Sequence, residues 1–421
     1  MAVTLPHRPH LERFRRDARR LQRAVRDGDA EALALVERVI GRPVDAATLP
    51  LATALYAVAR RHGFSSWPRL RDYLRTAERL GRDTSTDPGE DPVARLLAHA
   101  CLVYDASDGP DRWAVARDLL ATDPAAPQRD PYVAATVADP DAVAAHLARE
   151  PALARAQGGP FGWTMLFHVA YSRVPQRDPL TTAALLLDAG ADPEAGYLWQ
   201  GAPTPFTVLT GCFGGGEQGP GRQPAHPQGA ALARLLVAHG ADPNDAQTLY
   251  DRMFARDDEH LRVLLPLGLG HGPGGAWHRR LGEALETPDE MVRRQVDWAR
   301  DHGFTDRLAL LAEHGFSDGT TADAPTPWRA RRGLPPVARA GTPDAVRALA
   351  AAGGDLDAPY EGRTALHHAA WVGDVELVRA LLEAGADPTV RDATYGTTPL
   401  AWAEHARADA TAALLRPVTP G

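Results

Sequence analysis

The stretch GRTALHHAAWVGDVELVRALLEAGADPTVRDATYGTTPL, from Gly362 to Leu400, sets the architecture that we expect for the whole chain. Its opening Gly-x-Thr-Ala-Leu returns near its end as Gly-x-Thr-Pro-Leu, and Gly362 and Gly396 lie 34 residues apart. Two helix-length segments, separated at Gly373, fit between these motifs. A period of this length indicates an array of helix pairs, in which each unit buries its apolar face against its neighbours.

The same stretch resembles the ankyrin repeat, whose signature is a Thr-Pro-Leu-His turn into a first helix and a second helix that ends in Gly-Ala-Asp. Residues 364–367 and 385–387 carry the resemblance. It implies an all-α fold: an ankyrin-type α-solenoid of stacked helix pairs with short finger turns and a polar helical N-terminal cap. In this family the histidine of the turn usually hydrogen-bonds the backbone of the next repeat, so the resemblance implies a structural role for His367.

Two more units in the middle of the chain show the same pattern. FGWTMLFHVAYS (161–172) opens a unit that closes at Gly190, and APTPFTVLTG (202–211) opens one that closes at Gly240. These closing glycines fit helix ends that need a positive φ. Gly190 and Gly240 are 50 residues apart, well above the usual period of about 33. The excess is a segment rich in Gly and Pro (212–229), which we expect between the two helices of its repeat.

Elsewhere the helix pairs are recognisable by helical period and by cap residues rather than by motif. Expected N-caps are Asp29, Ser65 or Ser66, and Thr305 or Asp306. The opening of the chain resembles that of many bacterial ankyrin-repeat proteins. We expect five segments: an N-terminal cap with degenerate helix pairs (1–80), degenerate repeats (93–158), ankyrin repeats with the long insertion (159–272), a degenerate pair with a lead-in loop (276–333) and C-terminal ankyrin repeats (334–421).

Residues 9–27 are predicted to form a basic amphipathic helix, with Phe14 and Val25 on its apolar side. Its arginines admit two interpretations, a nucleic-acid contact or the solvated outer face of a capping helix. We favour the capping helix because solenoids need polar terminal caps and because the formal net charge of the chain is -8, which argues against a nucleic-acid partner. The arginines stand at positions 13, 15, 16, 19, 20, 23 and 26.

The sequence composition argues against several kinds of functional site and against several cellular locations. The sequence holds no lysine, so Schiff-base and Walker-type lysines are absent. No catalytic or metal-binding motif is present, and we expect no cofactor and no metal. Asp257-Asp258-Glu259-His260 is rich in ligand types, but we expect a solvated helix end, since consecutive helical residues point in different directions. Two cysteines, Cys101 and Cys212, without an apolar leader or a run of about 20 apolar residues, predict a soluble cytoplasmic protein with no membrane partner.

The resemblance also implies where a partner binds. In ankyrin repeats, side chains beside the finger glycine and after the Ala-Ala pair of the first helix face the concave side. Tyr, Trp and Arg, which dominate binding hot spots, are common at these places here. We therefore expect a non-enzymatic scaffold that binds a protein or peptide, although some of these aromatics also suit packing on adjacent fingers. The partner-binding candidates are Phe161, Trp163, Tyr171, Tyr360, Glu361, Arg363, Trp371, Tyr395 and His405.

A second hypothesis is a small-molecule-binding or catalytic pocket in the concave groove, covered by the 212–229 insertion. The insertion would then be a lid that brings Arg222 and His226 inward, and the competing interpretation is a surface excursion. Packing against the next repeat is the alternative role for His168 and His368. Its acid–base groups would come from His168, Tyr171, Glu361, Arg363, His368, Glu404 and His405.

Overall fold

The computed structural model describes residues 5–6, 9–85, 87–316, 343–351, 355–357, 359, 362–393 and 395–419. As predicted, the described chain is mostly helical. Short 3-10 turns follow three of the helices, at Pro151–Ala154, Leu265–Leu267 and Gly282–Ala284. The helices are, in chain order, α1 (Leu11–Arg26), α2 (Ala30–Ile40), α3 (Leu51–Arg61), α4 (Trp67–Leu80), α5 (Pro92–Ala100), α6 (Pro110–Thr122), α7 (Ala126–Arg129), α8 (Pro131–Thr136), α9 (Pro140–Arg149), α10 (Met165–Tyr171), α11 (Pro179–Asp188), α12 (Val208–Phe213), α13 (Gly229–Ala238), α14 (Ala246–Met253), α15 (Glu259–Leu264), α16 (Ala276–Leu281), α17 (Pro288–Asp301), α18 (Thr305–Glu313), α19 (Pro343–Ala351), α20 (Ala365–Val372), α21 (Val375–Glu383), α22 (Pro399–His405) and α23 (Asp409–Leu415).

Short strands accompany the helices. They form a three-stranded sheet in the order β1-β4-β5, with β1 and β4 parallel and Gly81 opposite Leu198, and an antiparallel β2-β3 pair with Gln157 opposite Thr164. The sequence analysis did not predict them, because two to four residues are too few to show an alternating pattern. The strands are β1 (Gly81–Arg82), β2 (Gln157–Gly158), β3 (Trp163–Thr164), β4 (Gly196–Trp199) and β5 (Pro205–Thr207).

The chain divides into two compact units whose boundaries differ from the five segments expected from sequence. The first unit combines residues 1–83 with 196–206 and 273–287, and the second holds the remainder. In the first unit, α1, α2 and α3 share a core around Val25 and Val36. Tyr73 of α4 donates a hydrogen bond from its hydroxyl to the carbonyl of Gly201, 2.6 Å away. The unit is therefore assembled from segments distant in sequence, which local pattern analysis does not detect.

Helix starts follow the predicted caps in most places. Asp29 accepts hydrogen bonds from the backbone amides of residues 31 and 32, and Ser66 accepts one from that of residue 69. The prediction for α18 was wrong, because its cap position is Phe304, with no side-chain hydrogen bond. Phe304 contacts two guanidinium groups instead, those of Arg256 at 4.7 Å and Arg307 at 4.9 Å. The Phe304 ring thus packs against these two side chains, and no side chain accepts a capping hydrogen bond at this helix start.

The second unit is built from helix pairs that stack in two rows. Between residues 131 and 301, α8, α10, α12, α14 and α17 pack in series, and α9, α11, α13 and α15 form a parallel row beside them. The closing glycines have the expected positive φ, 91° at Gly190 and 100° at Gly240. Two residues after each glycine, an aspartate side chain accepts a hydrogen bond from a backbone amide of the turn. Asp192 accepts one from the amide of Glu194 at 2.9 Å. Helix pairs thus stack in this region too, where the sequence motif is weak.

At the C-terminal end, α20 packs against α22, while α19, α21 and α23 form the second row. Their shared core holds Val346, Leu366, Leu381 and Leu415. Gly385 has φ 95°, and Asp374 caps α21 by accepting a hydrogen bond from the amide of residue 377. The lead-in loop expected up to residue 333 and the first residues of the expected C-terminal repeats (334–342) lie outside the described residues.

Candidate functional site

Two tryptophans and a histidine form one surface on the last two repeats. Trp371 ends α20 and Trp402 lies in α22, with ring centroids 5.4 Å apart and planes at 68°. His405 stacks on Trp371 at 5.7 Å and 15°. Trp371 is half-buried and His405 is exposed, whereas Trp402 is 7% exposed and forms the floor. The two tryptophan faces therefore make an aromatic corner supported from within the repeat.

Arg363 and Tyr395 complete this surface from the finger turns. The Arg363 guanidinium carbon lies 4.9 Å from the centre of the Trp402 ring, and the side chain is exposed. The Tyr395 ring is 6.0 Å from that of Trp402 and is 71% exposed. We call the set of Arg363, Trp371, Tyr395, Trp402 and His405 the aromatic surface. Exposed aromatic and arginine side chains on a rigid support are typical of binding hot spots.

Asp392 fixes the finger that carries Tyr395. Its carboxylate accepts hydrogen bonds from the amide of Tyr395 at 2.6 Å, the amide and hydroxyl of Thr397 at 2.9 and 2.7 Å, and the indole of Trp402 at 3.1 Å. Burial opposes ionisation, but these donors outweigh it and hold the pKa of Asp392 well below its usual range. The aspartate is therefore ionised and locks Tyr395 in place.

His367 has the structural role that the sequence predicted. Its Nδ1 accepts from the amide of Thr364 at 3.2 Å, and its Nε2 lies 3.1 Å from the carbonyl of Thr397 in the next finger. With Nδ1 as the acceptor, the ring carries its proton on Nε2 and donates to that carbonyl. The side chain is fully buried. His367 thus joins two repeats and does not belong to the exposed surface.

The insertion lies between α12 and α13, as predicted, and its tip reaches the aromatic surface. The Gln218 side chain is 2.7 Å from Nε2 of His405. Arg222 donates to the carbonyls of Ala106, Asp108 and His405, at 2.6, 2.9 and 3.4 Å. The segment is thus a bridge within the second unit, and it borders the aromatic surface without covering Tyr395.

The base of the insertion is packed as tightly as a core element. His226 is 4% exposed and hydrogen-bonds Gln176 at 2.6 Å, and burial lowers the pKa of His226 to about 3. Arg173 donates to the carbonyls of Pro224 at 2.9 Å and Gly211 at 2.7 Å. A Cβ on Gly214 would lie 2.2 Å from the Pro224 oxygen, so only glycine fits there. These contacts contradict a surface excursion.

Three of the predicted partner-binding residues are not on the surface. Phe161, Trp163 and Tyr171 are 4%, 3% and 0% exposed. Trp163 lies 4.9 Å from Phe161 and 5.2 Å from Tyr171, centroid to centroid. Tyr171 stacks on Phe167 at 4.5 Å and donates to the carbonyl of Thr207 at 2.8 Å. The expectation that these three side chains contact a partner is wrong, because they form a core cluster between repeats.

Two more of these candidates, Tyr360 and Glu361, lie outside the described residues. Arg363, Trp371, Tyr395 and His405 are brought together, and all four were found from sequence by their repeat positions. Trp402 and Asp392 were missed. Trp402 follows the Thr-Pro-Leu turn at the position that His368 occupies in the preceding repeat, and Asp392 precedes the finger turn. The size of the tryptophan was the signal that could have revealed it.

The acid–base groups of the second hypothesis do not meet in one place. His168 is fully buried beside Tyr132 and Trp163, and burial lowers its pKa to about 3. Glu404 is exposed and pairs with Arg416 at 2.9 Å. A small cleft of about 20 Å³, partly open to solvent, lies between the insertion and Trp371, but neither His168 nor Glu404 lines it. His168 and Glu404 therefore do not share a site, and Glu361 lies outside the described residues.

Metal and thiol chemistry find no support in the described residues. Within them, no group of three or more His, Cys, Asp and Glu side chains is arranged to hold a metal ion. The predicted solvated end at 257–260 is wrong for Asp258, which is 2% exposed and pairs with Arg307 at 2.6 Å. Both cysteines are buried and unbridged, and burial raises the pKa of each thiol to about 12. Among the helices that the structure describes, none combines the length and apolarity needed to cross a membrane.

Comparison with known proteins agrees with the geometry of the C-terminal end. Residues 337–418 match the family model described as Ankyrin repeats (3 copies). This segment contains every residue of the aromatic surface. No curated protein matches the chain. The match places ankyrin repeats in about the last fifth of the sequence.

Proposed function

We propose that this ankyrin-repeat protein is a non-enzymatic cytoplasmic scaffold that binds a protein or peptide partner through its aromatic surface. We also infer that the helix pairs of residues 93–313 are degenerate copies of the same repeat, with a polar helical cap before them. Ankyrin repeats generally mediate protein–protein interactions. The observation that carries the proposal is the exposure of Tyr395, at 71%, on a finger held by four hydrogen bonds to Asp392.

The chemistry of the surface defines the partner segment that would fit. An apolar or proline side chain would bury against Trp371 and Tyr395, and its burial would be favourable in proportion to the apolar area removed from water. Arg363 and Arg391 are exposed, and neither has a carboxylate partner among the described residues. A carboxylate on the partner would pair with them. We therefore propose an acidic peptide segment with an aromatic or proline anchor.

The test is a selection of peptides from a random displayed library on the full-length protein. The dissociation constant of a selected peptide is then measured for the wild type and for Trp371→Ala, Tyr395→Ala and Arg363→Ala. We expect losses of 10-fold to 100-fold, on the order of those for hot-spot residues. Tyr56→Ala is the matched control, since Tyr56 is 37% exposed and lies in the first unit. Equal affinity for all variants, with folding intact, would contradict the proposal.

A further inference from the structure

The charge of the chain is divided unequally between its two units. The first unit has 19 arginines and 12 carboxylates, a formal net charge of +7, while the second has 27 arginines and 42 carboxylates, which gives -15. The total of -8 therefore conceals a strongly basic unit. Since electrostatic partner choice depends on the local potential and not on the total, the first unit has to be considered by itself.

The basic charge is concentrated on one face of α1. Phe14, Ala18 and Val25 are buried, and they define the inward side of the helix. The opposite side carries arginines three or four residues apart, which places them in line along the helix. Arg15 is paired with Glu12. The rest of this face is exposed and has no carboxylate partner within the described chain: Arg13, Arg16, Arg19, Arg20 and Arg23.

Repulsion among arginines on one face destabilises the helix that carries them. Like charges at i, i+4 each destabilise a helix by about 0.2–0.5 kcal/mol, and a helix that used charge for its own stability would alternate signs. A capping helix needs a polar outer face, but it does not need one of a single sign. The arrangement is therefore better explained by an anionic ligand than by solvation.

The dimensions of the face fit a nucleic-acid backbone. From Arg13 to Arg23 the helix rises by about 15 Å, at about 1.5 Å per residue. Along one strand of B-DNA, phosphates follow each other every 3.4 Å of helix axis, so about 15 Å presents four or five of them. Five guanidinium groups thus face about as many phosphates, and guanidinium binds phosphate with bidentate hydrogen bonds.

Two other anionic partners fit less well. A helix that binds a membrane surface presents an apolar face to the lipid, but the apolar side of α1 is buried inside its own unit. A protein partner needs aromatic or aliphatic anchors, and α1 holds none of the exposed large hydrophobic side chains of the described chain, which are Tyr56, Tyr395 and Val418.

We propose that the arginine face of α1 binds the phosphate backbone of duplex DNA without reading its base sequence. This revises the expectation drawn from the net charge alone.

The test uses the full-length protein, a fluorescein-labelled 20-bp duplex and fluorescence anisotropy between 50 and 200 mM salt. Five phosphate contacts predict a slope of log K against log salt of about -4.5, at about 0.9 per contact. The variant R16Q/R20Q/R23Q should bring the slope to about -1.8 and weaken binding at 100 mM salt on the order of 10²-fold. R16K/R20K/R23K retains the charge and should retain the slope. R117Q/R234Q/R379Q removes the same charge from exposed positions of the second unit and should leave the slope unchanged.

Circular dichroism checks that each variant is folded. We expect all of them to be folded, because the substituted arginines are exposed. Vesicles containing phosphatidylserine are the competing probe, and we expect no binding to them. The proposal is overturned if the wild type does not bind duplex at 50 mM salt. It is equally overturned if the α1 variant keeps the wild-type slope, or if vesicles bind and duplex does not.

Discussion

The helix pairs that begin at Thr164 and Thr364 carry large side chains at matching positions but differ in how far these side chains are exposed. Trp163 and Arg363 precede the two threonines, and Tyr171 and Trp371 follow them by seven residues. Trp163 and Tyr171 are buried, whereas Arg363 is exposed and Trp371 half-buried. Positions that match in sequence therefore belong to the core in one helix pair and to a surface in the other.

One cause of the difference is the neighbouring repeat. Tyr171 lies over Gly211, where an added Cβ would be 2.3 Å from the tyrosine ring. The corresponding residue beside Trp371 is Trp402, whose bulk holds the first ring in an edge contact at 5.4 Å. A small neighbour lets the aromatic ring sink between repeats, and a large one keeps it at the surface.

The other cause is chain from outside the repeat. The amide of Leu102 donates to the carbonyl of Tyr171 at 2.9 Å, and the Tyr104 ring contacts the Tyr171 ring at 5.9 Å. Arg173, two residues after the end of α10, donates to the carbonyl of Pro224 at the base of the insertion. At the C-terminal repeat, the insertion reaches His405 through Gln218 but leaves Tyr395 exposed. Whether the aromatic side chains are exposed therefore depends on the chain segments packed over them and not on the motif.

The largest expected effect separates the two equivalent aromatics. Tyr171→Ala should lower the free energy of unfolding by about 4–5 kcal/mol, because it leaves a cavity and removes a buried hydrogen bond. Trp371→Ala, at the matching position, should cost less than about 2 kcal/mol, since its side chain is only half-buried. Urea unfolding of both variants measures the difference. Similar losses for the two would show that the repeats do not differ as described.

Asp108 holds the segment that covers Tyr171. Its buried carboxylate accepts from the amides of Val103 and Tyr104 at 3.1 and 2.8 Å and pairs with Arg112 at 2.9 Å. Asp108→Ala should destabilise the protein by about 3–4 kcal/mol, because it leaves Arg112 buried without its partner. Asp111→Ala, at an exposed carboxylate paired with Arg407, is the control and should change urea unfolding little. A small effect of the Asp108 change would mean that the covering segment is not anchored there.

The finger of the open repeat depends on Asp392. Asp392→Ala removes four hydrogen bonds to an ionised carboxylate, and we expect a loss of about 2–3 kcal/mol together with weaker peptide binding. Asp387→Ala is the matched control, since that exposed aspartate accepts hydrogen bonds only within its own turn, from Thr389. Thermal unfolding and peptide titration give the two readouts. If both variants behaved alike, Asp392 would not be what orders Tyr395.

The smallest expected effect is the pH dependence from His168. Burial lowers its pKa to about 3, from an ordinary value of 6.5. Between these values the unfolded chain is protonated and the folded chain is not, so stability falls as pH decreases below 6.5. At pH 5.5 this histidine should cost about 1.4 kcal/mol, and His168→Gln should remove that part of the dependence in urea unfolding at pH 7.5 and 5.5. An unchanged dependence would mean that His168 is accessible to solvent.

The sequence predicted the parts of the structure that depend on local signals. The helix caps at Asp29 and Ser66, the positive-φ glycines, the position of the insertion and the scaffold role of His367 were all read from neighbouring residues. Burial was not predictable in the same way. Tyr171 is covered by residues 101–104, which lie about 70 positions earlier in the sequence, and no periodicity connects the two segments. The assembly of the first unit from three separate stretches of sequence could not be predicted for the same reason.

Hydroxyl-radical footprinting of the intact protein, read residue by residue by mass spectrometry, tests the difference between the two repeats most directly. The structure predicts fast oxidation of Tyr395, intermediate oxidation of Trp371 and protection of Trp163 and Tyr171. Addition of a selected peptide should slow oxidation at Tyr395 and Trp371 and leave Tyr56 unchanged. Equal oxidation of the two repeats, or protection by peptide at Trp163 and Tyr171 only, would contradict the account.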